Sequence, residues 1–294
     1  MFTNKNSTPL IAGTMKWGAW GAKLTSQEYL AMIEQCLECG ITTFDHADIY
    51  GNYTVEGEFG KALDLNPGLR DRVQLISKCG IRMISPNRTG YNIKHYDTSR
   101  EHIVESVERS LRNLGTNHLN LLLIHRPDPL MNPDEIAETF TLLQKQGKVL
   151  QFGVSNFSVS QMELLHASFP IITNQLEISV LRLQPFIDGT LDHCILKKIT
   201  PMAWSPLGGG NVFTSTEEQA KRIVGVAEIL AEKYASTAPQ ILLAWLLKHP
   251  ANIIPVLGTA RIARIIEAAE ATKITLNKEE WFMLWRASIG EEVE

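Results

Sequence analysis

The sequence predicts a (β/α)8 barrel of parallel strands in the TIM-barrel arrangement, with an extra C-terminal helix, built as one domain over residues 1–294. Eight short apolar runs alternate with longer segments of helical period, and several of those segments open on a capping signal. No linker, low-complexity stretch or charge block divides the chain. A doubly wound open sheet would be expected to carry G-x-G-x-x-G after its first strand, but Gly208-Gly209-Gly210 follows the seventh strand and lacks that spacing. A chain of 294 residues, 44% of them hydrophobic, can bury one large core.

In chain order the strands are expected at 10–14, 41–45, 73–78, 119–125, 149–155, 171–175, 200–204 and 253–257, each a short apolar run. Helices are expected to start at Thr25, Asn132, Ser158 and Ser215, each followed three residues on by Glu28, Glu135, Gln161 and Glu218 respectively. Segment 80–96, with Pro86, Asn87 and Gly90, reads as a long loop on the rim after the third strand. Segment 277–286 reads as a helix outside the barrel.

The formal net charge is −4, and Lys and Arg are scattered, which argues against nucleic acid or a membrane surface as partner. The first 13 residues hold no long apolar leader core, and no run approaches the roughly 20 apolar residues of a membrane span. A soluble cytoplasmic protein acting on small molecules is expected. Among the four cysteines, Cys36 and Cys39 form a C-x-x-C, but it lies at the end of an amphipathic helix with no second pair and no flanking His pair. They read as small helical packing residues.

In a barrel, function gathers where strands end. Those ends carry Asp45 with Tyr50, Lys78, His125, Ser155 with Asn156, Gln175, Trp204 with Ser205, and Gly258 with Thr259. Singly, each has an ordinary explanation as a surface ammonium, a core histidine, a helix cap or packing. Together at one end, the ionisable four form a chemical set. A phenol has an unperturbed pKa of about 10, and a neighbouring ammonium favours its phenolate, so Lys78 would ease proton donation by Tyr50. Asp45 would keep Lys78 charged, and a neutral His125 could orient the oxygen that Tyr50 protonates. The set suits carbonyl reduction. Assembling a metal site from His46, Asp48 and His125 is hampered because Asp45 and His46 are adjacent and would point to opposite faces. Only Asp45 offers an obvious strand-end carboxylate, which argues against glycosidase chemistry.

These residues resemble the aldo-keto reductase superfamily over nearly the whole chain. FDHADIYG, LISKCG and LLLIHRPDP are similar to the segments that carry its catalytic tetrad. The resemblance implies Tyr50 as proton donor, Asp45 and Lys78 as its tuning pair, and His125 as the substrate-orienting residue. It also implies NADPH or NADP as cofactor. Gly13, Thr14 and Met15 would lie beside the nicotinamide, and Ser155, Asn156 and Gln175 would hold its carboxamide. Trp204 would stack on the ring in place of the usual Tyr. Ser205, Leu207 and Gly208 would reach the pyrophosphate, with Thr259, Arg264 and Arg261 at the 2′-phosphate. Gly258 stands where many members have Lys, and Glu267-Ala268 replaces a Gln-Asn pair, so use of NAD stays open. The overall pattern resembles a bacterial branch of uncharacterised members more than the mammalian aldose reductases.

The expected function is an NADPH-dependent reduction of an aldehyde or ketone, by a monomer. A cofactor-binding regulatory subunit with slow turnover is the alternative, and a metal-dependent barrel hydrolase or isomerase a lower one. Trp17, Trp20, Tyr53 and Arg126, with Tyr91 and His95 on the rim, are candidates for the substrate wall, where aromatic groups suit apolar carbonyls and Arg126 suits a carboxylate.

Overall fold

All eight apolar runs become strands, and the strands close on one another. A computed structural model describes residues 8–293; residues 1–7, half of the stretch read above for a leader, and Glu294 lie outside the described residues. The strands are β1 (Ile11–Gly13), β2 (Thr43–Asp45), β3 (Gln74–Cys79), β4 (Ile81–Arg82), β5 (His95–Tyr96), β6 (Leu119–Ile124), β7 (Val149–Ser155), β8 (Thr173–Glu177), β9 (Thr200–Trp204) and β10 (Ile254–Leu257). Eight of them form a closed barrel in the order β1-β10-β9-β8-β7-β6-β3-β2, every pairing parallel. The remaining two, β4 and β5, pair antiparallel, so the expected rim loop contains a small hairpin.

Alternation along the strands sorts side chains between two cores. Ile11, Ile76, Leu121, Leu123, Met202, Ile254 and Val256 fill the barrel interior. Their neighbours Ala12, Leu75, Leu122 and Ile124 point outward into a larger layer under the helices. The same period therefore aims Lys78, two residues beyond Ile76, along the barrel axis.

The helices are α1 (Ser26–Glu38), α2 (Tyr50–Tyr53), α3 (Val55–Leu65), α4 (Arg100–Leu114), α5 (Pro133–Lys145), α6 (Val159–His166), α7 (Gln184–Ile187), α8 (Thr190–Lys197), α9 (Asn211–Thr214), α10 (Glu218–Lys233), α11 (Ala238–Leu247), α12 (Ile262–Glu270) and α13 (Lys278–Ile289). Thr25 and Ser158 form full capping boxes with Glu28 and Gln161. Asn132 caps α5 by accepting from the N–H groups of Asp134 and Glu135. The expected box at Ser215 does not form. Ser215 instead closes the short α9, its hydroxyl accepts from Glu217 N at 3.2 Å, and α10 starts at Glu218 with Glu217 as an N-cap that makes no side-chain bond.

The predicted outer helix is α13, capped by Asn277, and stacked Trp245 and Trp281 tie it to α11 by reciprocal indole-to-carbonyl bonds of 3.0 and 3.1 Å. Cys36 is buried in the outer core, where burial pushes its thiol up to about 12, and Cys39 ends α1. No helix among the described residues is long and apolar enough to cross a membrane.

Candidate active site

The C-terminal ends of β2, β3 and β8 converge on one buried ion pair, the Lys78 ammonium with the Asp45 carboxylate, and His125 after β6 packs on Tyr50 beside it. The Lys78 side chain is 0% exposed, and its three protons meet three acceptors: Asp45 Oδ2 at 2.7 Å, His46 O at 2.8 Å and Tyr50 Oη at 3.0 Å. An ammonium has three donors, so Lys78 is saturated. Tyr50 accepts from Lys78, and its own proton is left uncommitted. Asp45 is held from the far side of the barrel by Gln175 Nε2 at 3.0 Å.

A buried ion pair of this kind is a poor stabilising device, because desolvating two charges offsets most of their attraction. Its place at a strand end argues for chemistry instead. Burial by itself would strip Lys78 of its proton, but Asp45 and Tyr50 outweigh burial and raise its pKa above the usual lysine value. Tyr50 is also raised. Burial is the largest cause and exceeds the lowering by Lys78, so the phenol stays protonated through neutral pH, although charge pairing alone favours the phenolate. His125 meets the Tyr50 ring edge to face at 5.9 Å. Burial, then Lys78, Arg126 and Lys94, hold its pKa well below the usual histidine value, which makes it a neutral imidazole.

His46 points the other way, against Phe59 at 4.5 Å. Thr14 Oγ1 donates to Asp45 O at 3.0 Å, so the 2.9 Å contact from the same oxygen to His46 Nδ1 needs the Nδ1–H tautomer. Nε2 then has no partner among the described residues, and burial, with help from Lys78, lowers this histidine to about 3.

On the other side of the mouth, Ser155 Oγ donates to Gln175 O at 3.0 Å and accepts from Asn156 Nδ2 at 2.7 Å. Asn156 Oδ1 accepts from Trp204 Nε1 at 3.0 Å, which fixes the indole at the end of β9. Ser205 follows at a φ of 49°, Leu207 packs between the two outer clusters, and Gly208, Gly209 and Gly210 all take positive φ. A Cβ at Gly208 would lie 2.7 Å from the Leu181 side chain, and the positive φ at all three glycines disfavours any side chain, so this turn stays bare backbone. Gly258 is exposed with open space about it, Thr259 Oγ1 accepts from Arg261 N at 3.1 Å, and Arg261 and Arg264 are exposed at the start of α12.

Not every candidate reaches the mouth. Gly13 pairs with Asp45 and Met15 is exposed at the rim, but Thr14 is fully buried with its hydroxyl engaged as above. Trp17, expected in the substrate wall, is 0% exposed: the chain turns back through Trp17 N to Thr14 O, and the ring packs against Tyr29, Phe44 and Phe59 outside the barrel. Its indole instead donates to Thr259 O at 2.9 Å and so ties the first βα loop to the last.

Trp20 does lie at the mouth, edge to face with Tyr50 at 6.2 Å, and Arg126 is half-buried beside His125. Tyr53 turns toward the rim hairpin, where its hydroxyl accepts from Met83 N at 2.9 Å, and Tyr91 sits over Arg82 rather than over the site. His95, also expected on the wall, is exposed and meets the edge of the Tyr91 ring. Sequence reasoning missed Arg88, which the rim segment buries beside Asp48. A lone Arg among Pro, Asn and Gly reads as a solvated loop charge, and no period marks it otherwise.

Comparison with known proteins covers almost the whole chain. Residues 9–288 match the model of the aldo/keto reductase family. The chain is 44% identical over 287 residues to "Uncharacterized oxidoreductase YcsN" of Bacillus subtilis, covering 97% of this chain and 95% of that protein. It is 43% identical over 293 residues to the 6-dehydroglucose reductase of Agrobacterium fabrum, covering 98% of each. Among solved structures, an aldo/keto reductase from Klebsiella pneumoniae in complex with NADP and acetate matches with a TM-score of 0.77 at 27% identity, covering 95% of this chain and 91% of that one.

Proposed function

The chain belongs to the aldo/keto reductase family, and from that membership we propose that it reduces an aldehyde or ketone to an alcohol with NADPH, Tyr50 delivering the proton. The observation that carries this reading is the Lys78 ammonium bonded to Asp45 and Tyr50 together while the phenol proton stays free.

Features of this chain fit an NADP cofactor. The Trp204 ring held by Asn156 offers a flat face, the bare Gly208–Gly210 turn suits close approach of a pyrophosphate, and Arg261 and Arg264 form no ion pair among the described residues. Gln175 and Asn156 each keep one amide N–H for a carboxamide, with Ser155 between them. Gly13 and Met15 border the same mouth, and Thr259 with the backbone at Gly258 would flank the 2′-phosphate. Ser205 and Leu207 would contact the pyrophosphate through the turn they open. When bound, the reduced nicotinamide supplies a hydride to the carbonyl carbon.

The chain's own residues handle the oxygen. Tyr50 gives its proton to the developing alkoxide, and Lys78, pinned by Asp45, stabilises the phenolate left behind. Neutral His125 orients the carbonyl oxygen without competing as an acid. Trp20 and Arg126 border the substrate, and because a relative is a 6-dehydroglucose reductase, a sugar aldehyde is the first substrate to try.

The test is NADPH oxidation with 6-dehydroglucose and a panel of reactive aldehydes and quinones. Tyr50→Phe is expected to lose about 10²–10⁴-fold in kcat, the usual range for a positioned general acid, with NADPH binding retained. Wild type no faster than Tyr50→Phe on every substrate, both binding NADPH, would sink the proposal.

A further inference from the structure

Behind the phenol the backbone takes an unusual path. Gly51, Asn52 and Tyr53 follow Tyr50 with φ of 60°, 60° and 70°, three successive residues in the left-handed region. Asn tolerates that conformation, whereas for an aromatic residue it is a strained one that its surroundings must impose.

The surroundings that impose it come from the segment between β4 and β5. A turn closed by Arg88 N to Ser85 O at 3.2 Å presents Asn87 Nδ2 to Asn52 O at 2.9 Å. Met83 N donates to the Tyr53 hydroxyl, and the Arg88 guanidinium lies over the Tyr53 ring at 5.0 Å. From there Arg88 reaches Asp48 Oδ2 at 3.8 Å and Glu105 Oε2 at 3.7 Å. Asp48 in turn is two residues ahead of Tyr50, and its N–H donates to Lys78 O at 3.0 Å. One side chain therefore touches both flanks of the proton donor.

Arg88 is 7% exposed, and among the described residues its two terminal nitrogens make no hydrogen bond; neither carboxyl oxygen of Asp48 makes one either. A guanidinium buried on such terms is costly to keep unless it does something its apolar isostere would not. We propose that Arg88 is a positioning residue for Tyr50, the clasp through which the rim segment holds the left-handed turn behind the phenol. The proposal rests on the reductase reading for its kinetic consequence and on the strained turn for its structural one.

Arg88→Met and Arg88→Lys test it, because Met keeps the bulk and removes the charge while Lys keeps the charge. Arg88→Met is expected to lower kcat about tenfold or more, since small misplacements of a catalytic group are expensive, with KM for NADPH within about twofold. Arg88→Lys should recover most of that loss. Without any substrate, amide exchange over 49–54 should rise about tenfold in Arg88→Met, with β6 and β7 unchanged. Tyr53→Phe, which loses only the hydroxyl anchor to Met83, should give a smaller rise in the same segment and serves if Arg88→Met does not fold.

An unchanged kcat, or a loss of kcat together with NADPH affinity and faster exchange throughout the barrel, overturns the clasp. If wild type itself shows no Tyr50-dependent turnover, the reductase reading falls, and exchange over 49–54 alone decides: a local rise supports the clasp, and none overturns it.

Discussion

Lys78 and His46 sit back to back across β2 and answer burial in opposite ways. Lys78 keeps its charge because three acceptors surround it, whereas His46 sheds its charge because Nε2 has no acceptor for a second proton. With a folded pKa of about 3 against an ordinary 6.5, His46 lends stability that is full above pH 6.5 and is lost as pH falls toward 3. Side-chain NMR should show His46 as the Nδ1–H tautomer, neutral down to about pH 5; an inflection near its ordinary value would contradict the network. At this scale the sequence was legible where a strand's period fixes direction, as for Asp45, Lys78 and Gln175. It was misleading at Trp17, since four residues beyond the end of β1 a tight turn sends the ring back under the barrel. Arg88 was silent because its burial depends on a loop conformation that no periodicity encodes.

Among elements, α3 matters most to the site, because it takes up the chain directly after the left-handed turn. Glu56 on its first turn accepts from Ser77 Oγ at 2.6 Å on β3, and Gly60 lets α4 approach closely. A Cβ at Gly60 would lie 2.1 Å from Asn113 O, a backbone atom that cannot swing aside. Gly60→Ala should therefore cost at least about 1–3 kcal/mol, the usual penalty of overpacking, seen as a lower urea midpoint; an unchanged midpoint would mean that the helices separate freely. Strand positions were readable to within about two residues because apolar runs between turn residues leave few alternatives. The capping boxes at Thr25 and Ser158 were readable for the same local reason. Ser215 was not, because a four-residue helix ends on it, and helices that short leave no period to detect.

For the whole molecule, closure makes the site. β1 hydrogen-bonds to both β2 and β10, so the first and last barrel strands meet, and the Trp17 to Thr259 bond reinforces that seam. We expect the chain to behave as one domain on this account. Closure also brings Gln175 from β8 onto Asp45 from β2, a contact across 130 positions that strand counting implies once the barrel is recognised. The central claim is that a hydride and the Tyr50 proton add to the two ends of one carbonyl. Turnover of an aldehyde with NADPH carrying deuterium at both C4 positions tests it most directly, with the product examined by mass spectrometry and NMR. One deuterium on the former carbonyl carbon in wild type, and product formation at least about 10²-fold slower in Tyr50→Phe, is the predicted result. Product without deuterium, or labelled product formed equally fast by both proteins, would contradict it.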